Sequence, residues 1–130
     1  MVIQERNAER RIALSKYNQS DMGYCRRKVK ALKDRCNKKG LAFDLDADWV
    51  YSRFIQGCEL TGLSFSKGYA DRQRMASVDR VDPRKGYTKD NCRLILMALN
   101  AMKIDGVDAG MREIAQAFLR SPVLEPEYSI

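Results

Sequence analysis

Apolar residues recur along this chain with two different periods, and the change of period marks where its elements lie. Between Asp21 and Lys39, Cys25, Val29, Leu32 and Cys36 fall at i, i+4, i+7 and i+11, which is one narrow face of a helix. Arg26, Arg27, Lys28, Lys30, Lys33, Arg35, Lys38 and Lys39 take the rest of the circumference, and Gly40 is placed to end the helix. Residues 3–17 read as a polar helix, an arm expected to be ordered by a partner. Asp46 is placed to cap a short helix carrying Trp49, Val50, Phe54 and Ile55 and ending at Gly57. The period then shortens. Residues 60–65 and 75–79 read as strands around a polar, glycine-containing connection, residues 83–87 as a turn, and 92–96 as a further strand. Residues 97–103 read as a helix bearing Asn100. Asp108 is expected to cap a last amphipathic helix with Met111, Ile114, Ala115, Phe118 and Leu119 turned inward.

This order of elements predicts an α+β chain: basic helices first, then a small hairpin with one helix beneath it, then a C-terminal helix. Its 130 residues suffice for one modest core. The expected division is a basic helical arm over 1–20, a domain over 21–120 and a tail over 121–130. No run of eighteen apolar residues exists, so no membrane span is expected. The first residues have no apolar run of signal-peptide length, so a cytoplasmic setting is expected.

Charge changes the picture more than composition does. Residues 1–40 hold twelve Lys/Arg against four Asp/Glu, whereas residues 41–130 hold twelve against thirteen. A basic first third on a near-neutral remainder points to a polyanionic partner, because neutralising phosphates releases condensed counterions. Arg26, Arg27, Lys30 and Lys33 are the candidate phosphate contacts on the helix, with Lys85, Tyr87 and Lys103 from the later segment. The four cysteines form no C-x-x-C pair and the chain has no histidine. No structural zinc is therefore expected, and the cysteines are read as reduced, mostly buried thiols.

The chemistry-bearing residues cluster between Cys58 and Lys103. There the chain reads CELTG, SVDRVDPRKGYTKDNCRLI and LNAMK, with Asp79 and Arg80 adjacent, Asn91 eleven residues after Arg80, and Asn100 nine further on. Asn100 stands on an otherwise apolar segment, where a polar side chain needs a partner. Asp79 beside Arg80 also suits an ordinary ion pair, and Asp82 before Pro83 a turn start.

This spacing, with N-x-x-K following, resembles the HNH or ββα-metal nucleases, and more closely a branch of short phage and bacterial HNH-like proteins with Asp-Arg in place of Asp-His. The resemblance covers residues 25–103, with a motif core at 58–103. It implies a ββα-metal hairpin and helix acting on duplex DNA with one Mg²⁺ or Mn²⁺, in the cytoplasm of a bacterial host cell, encoded by a phage or by the bacterium. It also implies that Asp79 and Asn100 are metal ligands, that Asn91 braces the loop, and that Arg80 stands where the general-base histidine belongs.

Arginine is not deprotonated in proteins, so it cannot take a proton from water. General-base assistance is typically worth about 10²- to 10⁴-fold. Three substitutes are conceivable: Asp82 as base or added ligand, water activated by the ion, or Arg80 as a clamp on the phosphate. The expected function is metal-dependent phosphodiester cleavage, with Asp79, Arg80, Asn91 and Asn100 as the catalytic set. The alternatives are an HNH-like DNA-binding protein that cuts weakly or not at all, and a phage protein that binds a host protein.

Overall fold

Ser20 separates two helices that would otherwise run together. In the computed structural model, which describes residues 3–67 and 69–126, α1 spans Ile3–Gln19 and α2 spans Asp21–Lys39. The Ser20 side chain accepts from the Gly23 N–H at 3.0 Å, so it caps α2. Gly40, at φ 69°, takes the left-handed conformation that ends α2. α3 spans Ala47–Phe54, and Asp46 caps it by accepting from the Trp49 N–H at 2.8 Å.

A 3₁₀ turn at Tyr69–Arg74 leads into β1 (Ala76–Arg80). β1 pairs antiparallel with β2 (Cys92–Leu96), with Asp79 opposite Arg93. α4 (Met97–Lys103) follows β2 without a loop, and α5 (Asp108–Leu119) closes the described fold.

Strand alternation sorts the hairpin into two faces. Ala76, Val78 and Leu94 face the core made with Tyr24, Cys25, Val50 and Phe54 of α2 and α3. Ser77 and Asp79 of β1 and Arg93 and Ile95 of β2 turn to the other face, which α4 covers. Two smaller clusters extend the core, one of Leu32, Cys36, Leu45 and Cys92, the other of Cys58, Ile95 and Leu96. The four cysteines are all free and buried, divided among these three clusters. Burial pushes the Cys25 thiol up to about 11 and the Cys92 thiol up to about 12.

Three expectations change. Residues 60–65 do not form a strand: Gly62 sits at φ 76° in a turn that closes on itself, Cys58 N–H to Leu63 O and Gly62 N–H to Cys58 O, both 2.8 Å. The outer edge of β2 is closed instead by Glu59, whose N–H donates to Leu94 O and whose carboxylate accepts from Leu94 N–H. Second, the cap of α5 is Val107, without a side-chain bond; Asp108 is the first helical residue and turns to Arg93.

Third, α5 buries Met111, while Ile114, Phe118 and Leu119 are 56%, 73% and 80% exposed rather than inward. The cause is length: α4 has only seven residues and can cover only the start of α5. The expected tail runs past residue 126, and 127–130 lie outside the described residues.

The turn between the strands is tied to the rest of the molecule by close backbone approach. Tyr87 N–H donates to Ala42 O at 2.9 Å, and a Cβ on Gly86 would lie 2.4 Å from that same oxygen. Gly86→Ala is expected to cost about 1–3 kcal/mol by overpacking. The check is a lower urea midpoint with an unchanged m-value.

Candidate nucleic-acid groove and the hairpin–helix centre

One buried side chain braces the loop between the strands from within. Asn91 is buried; its Oδ1 accepts from Asp82 N–H at 3.0 Å, and its Nδ2 donates to Asp82 O at 3.1 Å and Gly86 O at 2.9 Å. An amide can do this because it offers donor and acceptor from one planar group. Within the loop, Asp82 faces Arg84, with Arg84 Nε and Nη2 each 3.1 Å from its carboxylate. Hydrogen bonds from Arg84 bring the Asp82 carboxyl down to about 2. A group that acidic is a poor base near neutrality.

On the covered face of the hairpin lies a tight set of charges. Asp79 is 3% exposed. The Lys103 ammonium, on a side chain 1% exposed, donates to both its oxygens at 3.0 Å and to the Arg80 carbonyl at 2.8 Å. Arg93 Nε adds a fourth bond, to Asp79 Oδ2 at 2.8 Å, and the rest of its guanidinium grips Asp108. Two carboxylates and two cations thus tie β1, β2, α4 and α5 together. Asn100, one turn before Lys103, donates through Nδ2 to Ser77 Oγ at 2.7 Å and Val78 O at 3.3 Å.

The divalent ion implied by the sequence resemblance was weighed against these donors. A cation at Asp79 would meet the Lys103 ammonium and Arg93 guanidinium already bound there, and the Asn100 amide turns its nitrogen to the strand. Among the described residues no cluster of three or more His, Cys, Asp or Glu side chains could hold a metal. The donor set in this arrangement does not fit a divalent ion.

Hydrogen bonding from Arg93, opposed by partial burial, holds the Asp108 carboxyl below its ordinary value. A carboxyl depressed in the folded state stabilises it fully above its unfolded pKa of about 4, and the gain is lost as pH falls through the folded value. Asp108→Asn is therefore expected to flatten the decline of melting temperature below pH 4. The effect should be at most about 1 kcal/mol, because Asp108 is partly exposed and screened.

Beside this centre runs a groove. One part, about 370 Å³, is lined by Asp79, Arg80, Tyr87, Asn100 and Asp105 among others. A second, about 320 Å³, lies against α2 and shares Ser77, Val78, Tyr87, Met97 and Asn100 with the first. Its α2 wall presents Lys28 and Arg35, and a small recess beyond adds Lys39 beside Arg80. Arg80 lies over the Tyr87 ring, 4.8 Å from the centroid, and donates to Lys85 O at 3.2 Å. Among the described residues no carboxylate pairs with Lys28, Arg35, Lys39 or Arg80. Burial, with Arg35 adding to it, lowers the pKa of Lys28.

The structure thus brings Asp79, Arg80, Tyr87 and Asn100 to one groove and sets Asn91 behind the loop. Lys103 does not reach the surface, and Lys85 is exposed with its carbonyl held by Arg80. On α2 the groove-facing cations are Lys28, Arg35 and Lys39, which sequence reasoning did not single out. Spaced by seven and four, they share a helix face and flank the buried stripe of Cys25, Leu32 and Cys36. That spacing was the available signal. Arg26, Lys30 and Lys33, spaced by four and three, lie on the opposite face, and Lys30 pairs there with Asp34. Arg27 is exposed on the same helix.

No protein-family model matches the chain, and no curated protein matches it. Among solved structures, the chain is similar to the rare-cutting HNH restriction endonuclease PacI, whose structure is described as exhibiting a mechanism of DNA perturbation. The two are 22% identical with a TM-score of 0.50, over 68% of this chain and 72% of that one. The likeness establishes the fold as HNH-like: a two-stranded antiparallel hairpin with a helix packed on it. Among the described residues no helix is long and apolar enough to cross a membrane.

Proposed function

We propose that this chain binds nucleic acid, duplex DNA first of all, by drawing the phosphate backbone into the groove between α2 and the hairpin. The observation that carries this reading is the run of Lys28, Arg35, Lys39 and Arg80 along one groove with no carboxylate paired to any of them among the described residues. Cations set along one wall without paired carboxylates repel one another, and a chain of phosphates relieves that repulsion while releasing counterions. Tyr87, stacked on Arg80, gives the groove an aromatic surface beside the charge. The contacts available are to backbone, which position a duplex without reading its sequence.

The test is fluorescence anisotropy of a labelled duplex across a salt series. Log affinity should fall linearly with log salt, with a slope near −3 to −4 for about four phosphate contacts. Binding that ignores salt would remove the proposal.

A second reading, phosphodiester cleavage, is favoured by the fold shared with a restriction endonuclease. In it Asp79 and Asn100 would hold an ion that polarises the scissile phosphate, Arg80 would contact that phosphate, and Asn91 would keep the loop in place. The reading requires Asp79 to leave Lys103 and Arg93, and it lacks a general base. Supercoiled plasmid incubated with Mg²⁺, Mn²⁺ or EDTA decides it. Metal-dependent nicking that disappears in an Asp79→Asn protein still folded by circular dichroism would establish cleavage; intact plasmid with salt-sensitive retention leaves the binding reading alone.

A further inference from the structure

The Lys103 ammonium has the coordination of a small bound cation. Its three N–H bonds meet three oxygens, Asp79 Oδ1 and Oδ2 at 3.0 Å and Arg80 O at 2.8 Å. It is delivered from α4 one turn after Asn100, in a space closed to solvent. An ammonium has three donors and no acceptor, so this arrangement satisfies it completely. The carboxylate it binds is the one the HNH resemblance assigns to a divalent metal. That carboxylate already holds two cations, Lys103 and Arg93, and a divalent metal would add a double charge repelled by both in a poorly solvated pocket.

We infer that Lys103 is the resident cation of this hairpin–helix unit and that its ammonium keeps divalent ions off Asp79. The unit is then held together without metal, by a charge that the chain carries itself. Asp79 on β1 is bridged to α4 through Lys103, and to β2 and α5 through Arg93 and Asp108. Removing the ammonium would free Asp79 Oδ1 and the Arg80 carbonyl, hard oxygen donors suited to Mg²⁺ or Mn²⁺, while Arg93 stays on Oδ2. The inference does not rest on the α2 cations that carry the binding proposal, and its test contains no nucleic acid.

The experiment compares wild type, Lys103→Met, Lys103→Arg and Asp79→Asn by Mn²⁺ electron paramagnetic resonance and by melting in 5 mM Mn²⁺ against EDTA. Wild type and Lys103→Arg should leave the free Mn²⁺ signal undiminished and melt within about 1 °C in the two buffers. Lys103→Met should take up one Mn²⁺ and melt about 3–6 °C higher with the ion than without it. Saturable uptake by wild type that Asp79→Asn abolishes would overturn the inference, as would a Lys103→Met protein that folds and still takes up no ion. Should Lys103→Met fail to fold, the wild-type and Asp79→Asn pair alone still decides it. Metal binding by wild type overturns this inference even where DNA binding persists, so the two readings fail separately.

Discussion

Replacing Lys28 with Gln and both Arg35 and Lys39 with Ala is expected to weaken duplex DNA binding by roughly 100- to 1,000-fold at moderate salt. Each lost phosphate contact should also flatten the salt dependence by about one unit of slope, so the three together should bring it close to −1. The fold should survive. Arg35 and Lys39 are exposed, and Gln at 28 keeps a stem near the Tyr24 ring that the lysine now covers. The control is Arg26, Lys30 and Lys33 changed to Ala on the opposite face of α2. That triple removes the same charge, so a general loss of net charge would weaken both alike, whereas a groove requires the first to weaken binding far more. Equal losses in the two triples would mean that the partner does not lie between α2 and the hairpin.

Asp79→Ala is expected to lower stability by about 3–5 kcal/mol, because it leaves the buried Lys103 ammonium facing only a carbonyl and strips Arg93 of one partner. Removing both ends together should do much less harm. An Asp79→Leu, Lys103→Leu double variant, with Arg93 still held by Asp108, should unfold within about 2 kcal/mol of wild type, since an apolar pair can take the place of a buried ion pair. Urea denaturation of Asp79→Leu, Lys103→Leu and the double gives the coupling directly. If Asp79→Ala were as stable as wild type, the carboxylate would have no structural role, and a functional reason for its burial would have to be sought. Loss of nicking in that stable variant would bring the metal reading back.

Most of the local structure was legible in the residues. The capping roles of Asp46 and Gly40, the span of α2, the strand at 92–96 and the helix at 97–103 all follow from nearest-neighbour chemistry, and each is found where its residues place it. Asn100 was legible as a polar group needing a partner, and its partners are Ser77 and Val78 on the adjacent strand. Residues 60–65 show the opposite case. Their apolar content suits a strand, yet the Thr61–Gly62 turn spends the backbone groups on closing itself, and Glu59 takes the edge of β2. The α5 residues Ile114, Phe118 and Leu119 were expected inward because an amphipathic pattern names a face without saying whether another element is long enough to cover it.

By itself the sequence determined the span of α2, the strand at 92–96 and the helix that follows it, the absence of a histidine base and the concentration of positive charge in the first third, because these depend on residue identity and near neighbours. Only the tertiary structure decided which cations share a groove and which face away, since that depends on how α2 is rotated against the hairpin. It alone also decided that Lys103, twenty-four positions from Asp79, is spent on it. A lysine at the end of a short helix looks alike in sequence whether it reaches for a phosphate in solvent or folds back onto a buried carboxylate. The difference is made by desolvation, which exists only once the helix has packed on the strand.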